Sequence, residues 1–179
     1  MEIKKIHQIL INGGVIAYPT ESVFGLGCDP SNKKAIKKIL AIKKRKLEMG
    51  FVLLTPNIET VASWVNMNKK QLKVFSSTSL RPTTYIVPAS AGAPNWLTVK
   101  NTLAIRLSKD LFIKNICGLL KLPIVSTSAN LHGQNPCKSA EEVKKIMGSQ
   151  LDYIVFKDTG PFNNPSTIVD LSSGKIIRP

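Results

Sequence analysis

Acidic residues are scarce in this chain of 179 residues: 11 Asp plus Glu stand against 25 Lys plus Arg, a formal net charge of +14 at pH 7. Histidine is rarer still, with only His7 and His132, and the three cysteines, Cys28, Cys117 and Cys137, are widely spaced. Such a set offers neither a disulfide framework nor a CxxC pair, and it points away from a structural zinc site, so no metal-ligating residue is assigned. No run approaches the roughly 18 apolar residues of a membrane span. The start, Met1-Glu2-Ile3-Lys4-Lys5, is basic, but His7, Gln8, Asn12, Gly13 and Gly14 cut the run behind it, and no signal peptide is expected. Both GxGxxG and Gly-Lys-Ser/Thr are missing, which removes the Rossmann and P-loop readings. His132 follows a Ser-rich stretch, yet no acidic partner and no nucleophile elbow accompany it, which argues against a hydrolase.

What remains is an ordinary globular composition, 43% hydrophobic and 20% charged. The length fits one domain spanning 1–179, large enough to bury a core without covalent staples. The cationic excess is nearly all lysine; the arginines are Arg45, Arg81, Arg106 and Arg178. A field of this sign attracts phosphates, either RNA or nucleotides. A cytoplasmic protein without membrane contact is expected.

Apolar periodicity predicts a helix over 2–12 ended by Gly13-Gly14, and a buried strand at 15–18 stopped by Pro19. Ser31-Asn32 would cap a helix running to about Arg45, followed by a strand at 51–54. Short helices are predicted at about 58–65 and 68–76, strands at 83–88 and 102–107, and a helix at about 110–121. Ile124-Val125 reads as a strand leading into Ser126-Thr127-Ser128. Ser139-Ala140-Glu141-Glu142 reads as a capping box opening a helix to about Met147. Strands at 153–156, 167–171 and 175–177 close the chain. The pattern favours an α/β fold, a single-domain open mixed sheet flanked by helices.

Several segments carry residue types suited to anionic ligands. Tyr18-Pro19-Thr20-Glu21 brings a hydroxyl to the end of a buried strand, and Gly25 and Gly27 permit a tight turn or close approach of backbone to ligand. Lys43 and Arg45 can converge on one anion if their helix ends between them; otherwise they merely complement its dipole. Ser126-Thr127-Ser128-Ala129-Asn130 offers hydroxyls, an amide and backbone N–H groups to a phosphate, or forms a Ser/Thr-rich turn. Thr102 and Arg106 fall on one face of their strand.

Taken in order, Tyr-Pro-Thr-Glu with Gly-Leu-Gly-Cys-Asp, Lys43-x-Arg45, Ala104-x-Arg106, Ser-Thr-Ser-Ala-Asn and Pro165-Ser166-Thr-x-Val-Asp170 resemble the YrdC/TsaC family over essentially the whole chain, in its short single-domain form. The resemblance implies a twisted open α/β sheet with a basic concave cleft. It also implies a threonylcarbamoyl-AMP synthase, a nucleotidyltransferase that condenses L-threonine, bicarbonate or CO2 and ATP with release of pyrophosphate. Mg2+ would accompany ATP, and partner proteins would pass the threonylcarbamoyl group to tRNA, for which the basic face would be a contact surface.

By position, the resemblance assigns Lys43, Arg45, Ser128 and Asn130 to the catalytic phosphate surround, and Thr20, Arg106, Ser126 and Ser166 to threonine or its carbamate. Lys43, Thr102, Ser128 and Arg178 match nucleotide contacts. Two departures stand out: Ser79-Leu80-Arg81-Pro82-Thr83-Thr84 replaces a Trp-Pro-Gly-Pro-x-Thr segment, and Asp110-Leu111 stands where a His-Pro pair is common. The competing expectations are a non-catalytic RNA-binding module on the same fold, and a carbamoyl-transfer domain of the hydrogenase-maturation type, whose zinc-finger cysteine pairs this chain lacks.

Overall fold

The structure is a computed structural model that describes residues 2–44, 50–77, 81–131, 133–162 and 165–179. Its helices are α1 (Glu2–Ile11), α2 (Lys33–Lys43), α3 (Lys69–Ser76), α4 (Leu111–Leu120) and α5 (Ala140–Met147). Its strands are β1 (Ile16–Pro19), β2 (Phe24–Gly27), β3 (Val52–Thr55), β4 (Thr83–Pro88), β5 (Thr102–Leu107), β6 (Ile124–Ser128), β7 (Tyr153–Ile154), β8 (Thr167–Asp170) and β9 (Ile176–Arg178). All described strands join one sheet in the order β7-β1-β2-β6-β3-β5-β4-β8-β9. The β1/β7, β3/β5 and β4/β8 pairs are parallel and the others antiparallel, which is the expected mixed open sheet.

Alternation along the strands divides the apolar residues between two faces. On one, Ala17, Phe24, Leu26, Leu53, Ile105 and Val125 pack with Ile36 and Ile39 of α2 and Val143 and Met147 of α5. On the other, Ile16, Tyr18, Leu54 and Ile124 pack with Ile6 and Leu10 of α1 and Ile113, Ile116 and Cys117 of α4. This second cluster occupies only part of its face. Along β6 the side chains after Ile124 on that face are Ser126 and Ser128, and along β5 they are Arg106, Ala104 and Thr102, so apolar packing gives way to a polar surface.

Local chemistry sets the helix ends. Asn32, rather than Ser31, caps α2, accepting from Lys34 N and Ala35 N; such a cap contributes about 1 kcal/mol. The helix stops at Lys43 because Lys44 adopts the left-handed conformation, with φ 49°. Asp110 caps α4 through Phe112 N and Ile113 N, which is the use this chain makes of its Asp110-Leu111 departure. Ser139 caps α5 through Glu142 N, but the Glu142 carboxylate accepts from Lys138 N, one residue outside the capping box expected from the sequence.

Other expectations also change. Residues 24–27 form a strand where the glycines suggested a turn, and the predicted helix at 58–65 is a 3-10 helix over Glu59–Trp64. The strand predicted at 153–156 shortens to Tyr153–Ile154, which pair with Ile16 and Ala17. The final strand lies one residue later than expected.

Candidate active site

The uncovered part of the sheet face opens into a cleft of about 710 Å3. Strand register explains its floor. Ser126 lies beside Val52, Val52 beside Ala104, Ala104 beside Ile86 and Ile86 beside Asp170, in one row across β6, β3, β5, β4 and β8. Gly25 pairs with Ser128 at the near end. A Cβ on Gly25 would lie 3.2 Å from Ser126 Oγ and 3.3 Å from Thr20 Cγ2, so glycine keeps these two hydroxyl residues close together. The neighbouring row brings Arg106 beside Leu54 and Arg178 beside Ile168.

Of the residues singled out in the sequence, Thr20, Thr102, Arg106, Ser126, Ser128, Ser166 and Arg178 line this cleft. Thr20 ends the β1 edge of the β1–β2 hairpin; its Oγ1 donates to Val23 O at 2.7 Å, closing the loop. Thr102 Oγ1 donates to Val99 O at 2.7 Å. Ser166 Oγ lies 2.8 Å from the buried Thr84 Oγ1, and its carbonyl accepts from Arg178 Nη2 at 2.7 Å. Thr84, in the segment that departs from the family pattern, thus supports Ser166, while Ser79 and Leu80 lie outside the described residues.

Lys43 and Asn130 stand behind this lining. Lys43 is buried at the end of α2, where its Nζ donates to Asn130 O at 3.0 Å, to Asn130 Oδ1 at 2.8 Å and to Ser128 O. Ser128 Oγ donates to the same Asn130 Oδ1 at 2.6 Å, and Asn130 Nδ2 donates to Gln134 O at 2.7 Å. One ammonium therefore gathers the residues that follow β6. A buried ammonium needs such acceptors to offset its lost hydration. The end of α2 at Lys43 meets the condition set for Lys43 and Arg45 to converge, but Arg45, like His132, lies outside the described residues.

Ser126, Thr127 and Ser128 belong to β6 itself, with Thr127 paired to Leu26 and Ser128 to Gly25. The sequence suggests a turn or phosphate loop here because serine and asparagine are common in turns and the run shows no alternation of apolar and polar residues. The ladder fixes them more firmly than a loop would, and it presents alternate hydroxyls to the cleft.

Two functional candidates escaped the sequence reading. Glu21 Oε2 lies 3.2 Å from Arg106 Nη2, and its Oε1 accepts from Ser108 Oγ at 2.7 Å. Asp170 lines the cleft, and hydrogen bonds from the Ser173 N–H and hydroxyl, opposed by slight burial, hold its carboxyl below the usual range. Arg178 is lowered from its ordinary value, first by partial burial and then by the nearby charge of Arg106. Arg106 and Arg178 thus line the same cleft, with Asp170 on its lining and Glu21 paired to Arg106.

The sequence model of the Sua5/YciO/YrdC family, described as telomere recombination, matches residues 8–179. The chain belongs to this family. A Sua5/YciO/YrdC relative from Buchnera aphidicola subsp. Acyrthosiphon pisum (strain APS), named threonylcarbamoyl-AMP synthase, is 42% identical over 175 residues, which cover 95% of this chain and 99% of the relative. A protein of the same name from Haemophilus influenzae (strain ATCC 51907 / DSM 11121 / KW20 / Rd) is 40% identical over 183 residues, with 99% of each chain covered. The crystal structure of P. abyssi Sua5 complexed with L-threonine superposes with a TM-score of 0.87 at 23% identity, over 96% of this chain and 51% of that one. The chain spans about half the length of that Sua5 protein, and the likeness to it establishes the fold.

Proposed function

We propose that this chain condenses L-threonine, bicarbonate or CO2 and Mg2+-bound ATP to threonylcarbamoyl-AMP and pyrophosphate. The observation that carries the reading is the match, at 42% identity over 95% of this chain, to a protein named threonylcarbamoyl-AMP synthase. The cleft supports it, because it gathers seven of the residues that the family resemblance assigns to ligands, from β5, β6 and β9 and from the segments around Thr20 and Ser166.

The chemistry has two stages. The threonine amine adds to CO2, or to bicarbonate with loss of water, giving a carbamate. A carbamate oxygen then attacks the α-phosphorus of ATP; the new P–O bond forms as the bond to the bridging oxygen of pyrophosphate breaks. Two anions must approach each other, so the barrier is largely electrostatic, and fixed positive charges and N–H or O–H donors lower it. Each such group is worth about 3 kcal/mol when it acts only in the transition state. The carbamate already carries the attacking charge, so the step proceeds without a general base and without a covalent bond to the enzyme.

In this reading Arg106, with Thr20, Ser126 and Ser166, holds threonine and its carbamate. Ser128, Thr102 and Arg178 receive the nucleotide, and Lys43 with Asn130 and Arg45 completes the phosphate surround. Mg2+ enters as part of the nucleotide substrate, coordinated mainly by phosphate oxygens and water. The reaction class is nucleotidyl transfer, the setting is the cytoplasm, and the product passes to partner proteins that modify tRNA. The lysine-rich surface offers tRNA a docking face.

The test is pyrophosphate release by purified protein with Mg2+-ATP, adding and omitting L-threonine and bicarbonate. Release that requires both co-substrates is the expected result. Absence of release with salt-sensitive tRNA binding intact would favour a non-catalytic RNA-binding module instead.

A further inference from the structure

Arg106 sits at one end of the cleft with its side chain only 7% exposed, facing the 23% exposed side chain of Glu21. The two are in ion-pair contact at 3.2 Å, Nη2 to Oε2. The contact is not a directed hydrogen bond: Glu21 Oε2 is buried without a hydrogen-bond partner, and so is Arg106 Nε. An arginine paired in the usual fork-to-fork manner would spend two N–H groups on its carboxylate. Here Glu21 supplies the counter-charge that burial demands through one nitrogen, Nη2, without forming that fork.

Glu21 is itself held from several sides. Its Oε1 accepts from Ser108 Oγ, two residues beyond Arg106 along the chain, at 2.7 Å. The Ser108 N–H is tied to Thr55 O at 2.9 Å and its hydroxyl accepts from Asp110 N at 3.3 Å. On the other side, Gly160 N donates to Thr20 O at 2.9 Å and Phe162 N to Glu21 O at 3.0 Å. A Cβ on Gly160 would lie 2.8 Å from both Glu21 Cα and Glu21 O, so the crossing segment presses directly on the Glu21 backbone.

We infer that Glu21, clamped by Ser108, is the positioning residue for the carboxylate of the amino-acid substrate: it orients the Arg106 guanidinium through charge contact so that the N–H groups Arg106 turns to the cleft take that carboxylate. This deepens the proposed function and rests on it. The ligand class is an α-amino acid or its N-carboxy derivative, whose planar carboxylate matches the edge of a guanidinium through two parallel N–H···O bonds. Glu21 needs no contact with substrate; its effect runs through Arg106. The nucleotide end of the cleft, at Ser128, should be insensitive to it.

The experiment compares wild type, Glu21→Gln, Ser108→Ala, Arg106→Lys and the Glu21→Gln/Arg106→Lys double variant. It records thermal melting and the KM for threonine and for ATP in the pyrophosphate-release assay. Glutamine keeps the size of Glu21 and an acceptor for Ser108 but removes the charge. The expected result is a threonine KM raised about tenfold in Glu21→Gln, with the ATP KM within about twofold of wild type. Ser108→Ala should shift in the same direction by a smaller factor. The double variant should be no worse for threonine than Arg106→Lys alone, since Glu21 has nothing left to orient.

A threonine KM unchanged in folded Glu21→Gln overturns the inference, as does an equal rise in both KM values. If Glu21→Gln does not fold, an unchanged threonine KM in folded Ser108→Ala has the same force. Wild-type protein whose pyrophosphate release ignores threonine would remove the proposed function itself, and the inference with it. A normal wild type with unaffected variants removes the inference alone.

Discussion

Lys43 Nζ lies 2.8 Å from Asn130 Oδ1, joining the end of α2 to the segment after β6 across 87 residues of chain. The same ammonium donates to the carbonyls of Ser128 and Asn130, so one buried cation organises the backbone and side chains of the proposed phosphate surround. Lys43→Ala should lower threonine-dependent pyrophosphate release by about a hundredfold, from loss of one electrostatic contribution to the transition state. It should also cost stability, about 1–3 kcal/mol, because buried acceptors lose their donor. Ser128→Ala isolates the first effect, since it removes a cleft hydroxyl and leaves the Lys43 contacts to backbone in place. A folded Ser128→Ala variant with wild-type activity would argue that the hydroxyl has no part in catalysis.

Gly25 and Gly27 both lie on β2, yet they serve different ends. A Cβ on Gly27 would lie 2.6 Å from Tyr18 Cε1 and 2.8 Å from Val125 O, inside the packed sheet. On Gly25 the nearest atoms are cleft side chains, at 3.2 and 3.3 Å. Gly27→Ala should therefore destabilise by about 1–3 kcal/mol, as overpacking does. Gly25→Ala should melt nearer to wild type but bind its substrates more weakly, since its methyl enters the cleft between Thr20 and Ser126. Melting curves and KM values separate the two; the reverse pattern would mean that the cleft floor is misassigned.

The same two glycines show where sequence reading succeeds and where it stops. Strands β4 and β5 were legible residue for residue, because they are long enough for alternation to register, and their β-branched side chains favour a pleated surface. In β2 two of four residues are glycine, which ordinarily signals a turn; here they pair with β1 and β6 as strand residues, and Tyr18 and Val125 leave no room for a side chain at Gly27. The cleft residues were found by their order along the chain. The Glu21–Ser108 contact was not, because it links positions 87 apart and no periodicity or motif connects them. Asp152 under Val15, 137 residues away, was hidden for the same reason.

The cysteines provide a probe of the two cores. Cys28, Cys117 and Cys137 are all free and buried. Burial pushes the Cys117 thiol up to about 12, and it raises Cys28 and Cys137 as well. The thiolate is the reactive form, so alkylation at about pH 8 should be slow at all three in native protein and fast after denaturation. Mass spectrometry after a timed iodoacetamide exposure reads this directly. Rapid native labelling at Cys117 would show that the α4 side of the sheet opens readily.

Asp152 ties three parts of the chain together: its Oδ2 accepts from Val15 N and from Lys38 Nζ, each at 2.6 Å. Partial burial works against its charge, but the Lys38 and Val15 hydrogen bonds outweigh that and hold its carboxyl below the usual range. A carboxylate with a depressed folded-state pKa stabilises the fold above its unfolded-state value, and this contribution disappears as pH falls through the folded-state pKa. Asp152→Asn retains an acceptor for the Val15 N–H and removes only the charge. Wild type should therefore melt above the variant at neutral pH. The gap should narrow as the pH falls below the ordinary carboxylate range near about 4, and close once the folded-state carboxyl is protonated. The Lys38–Asp152 pair is substantially exposed, at 41% and 37%, so the gap should also shrink with added salt. A melting difference that stays constant across this pH range would mean that Asp152 contributes by packing or hydrogen bonding alone, and that its charge is immaterial to the fold.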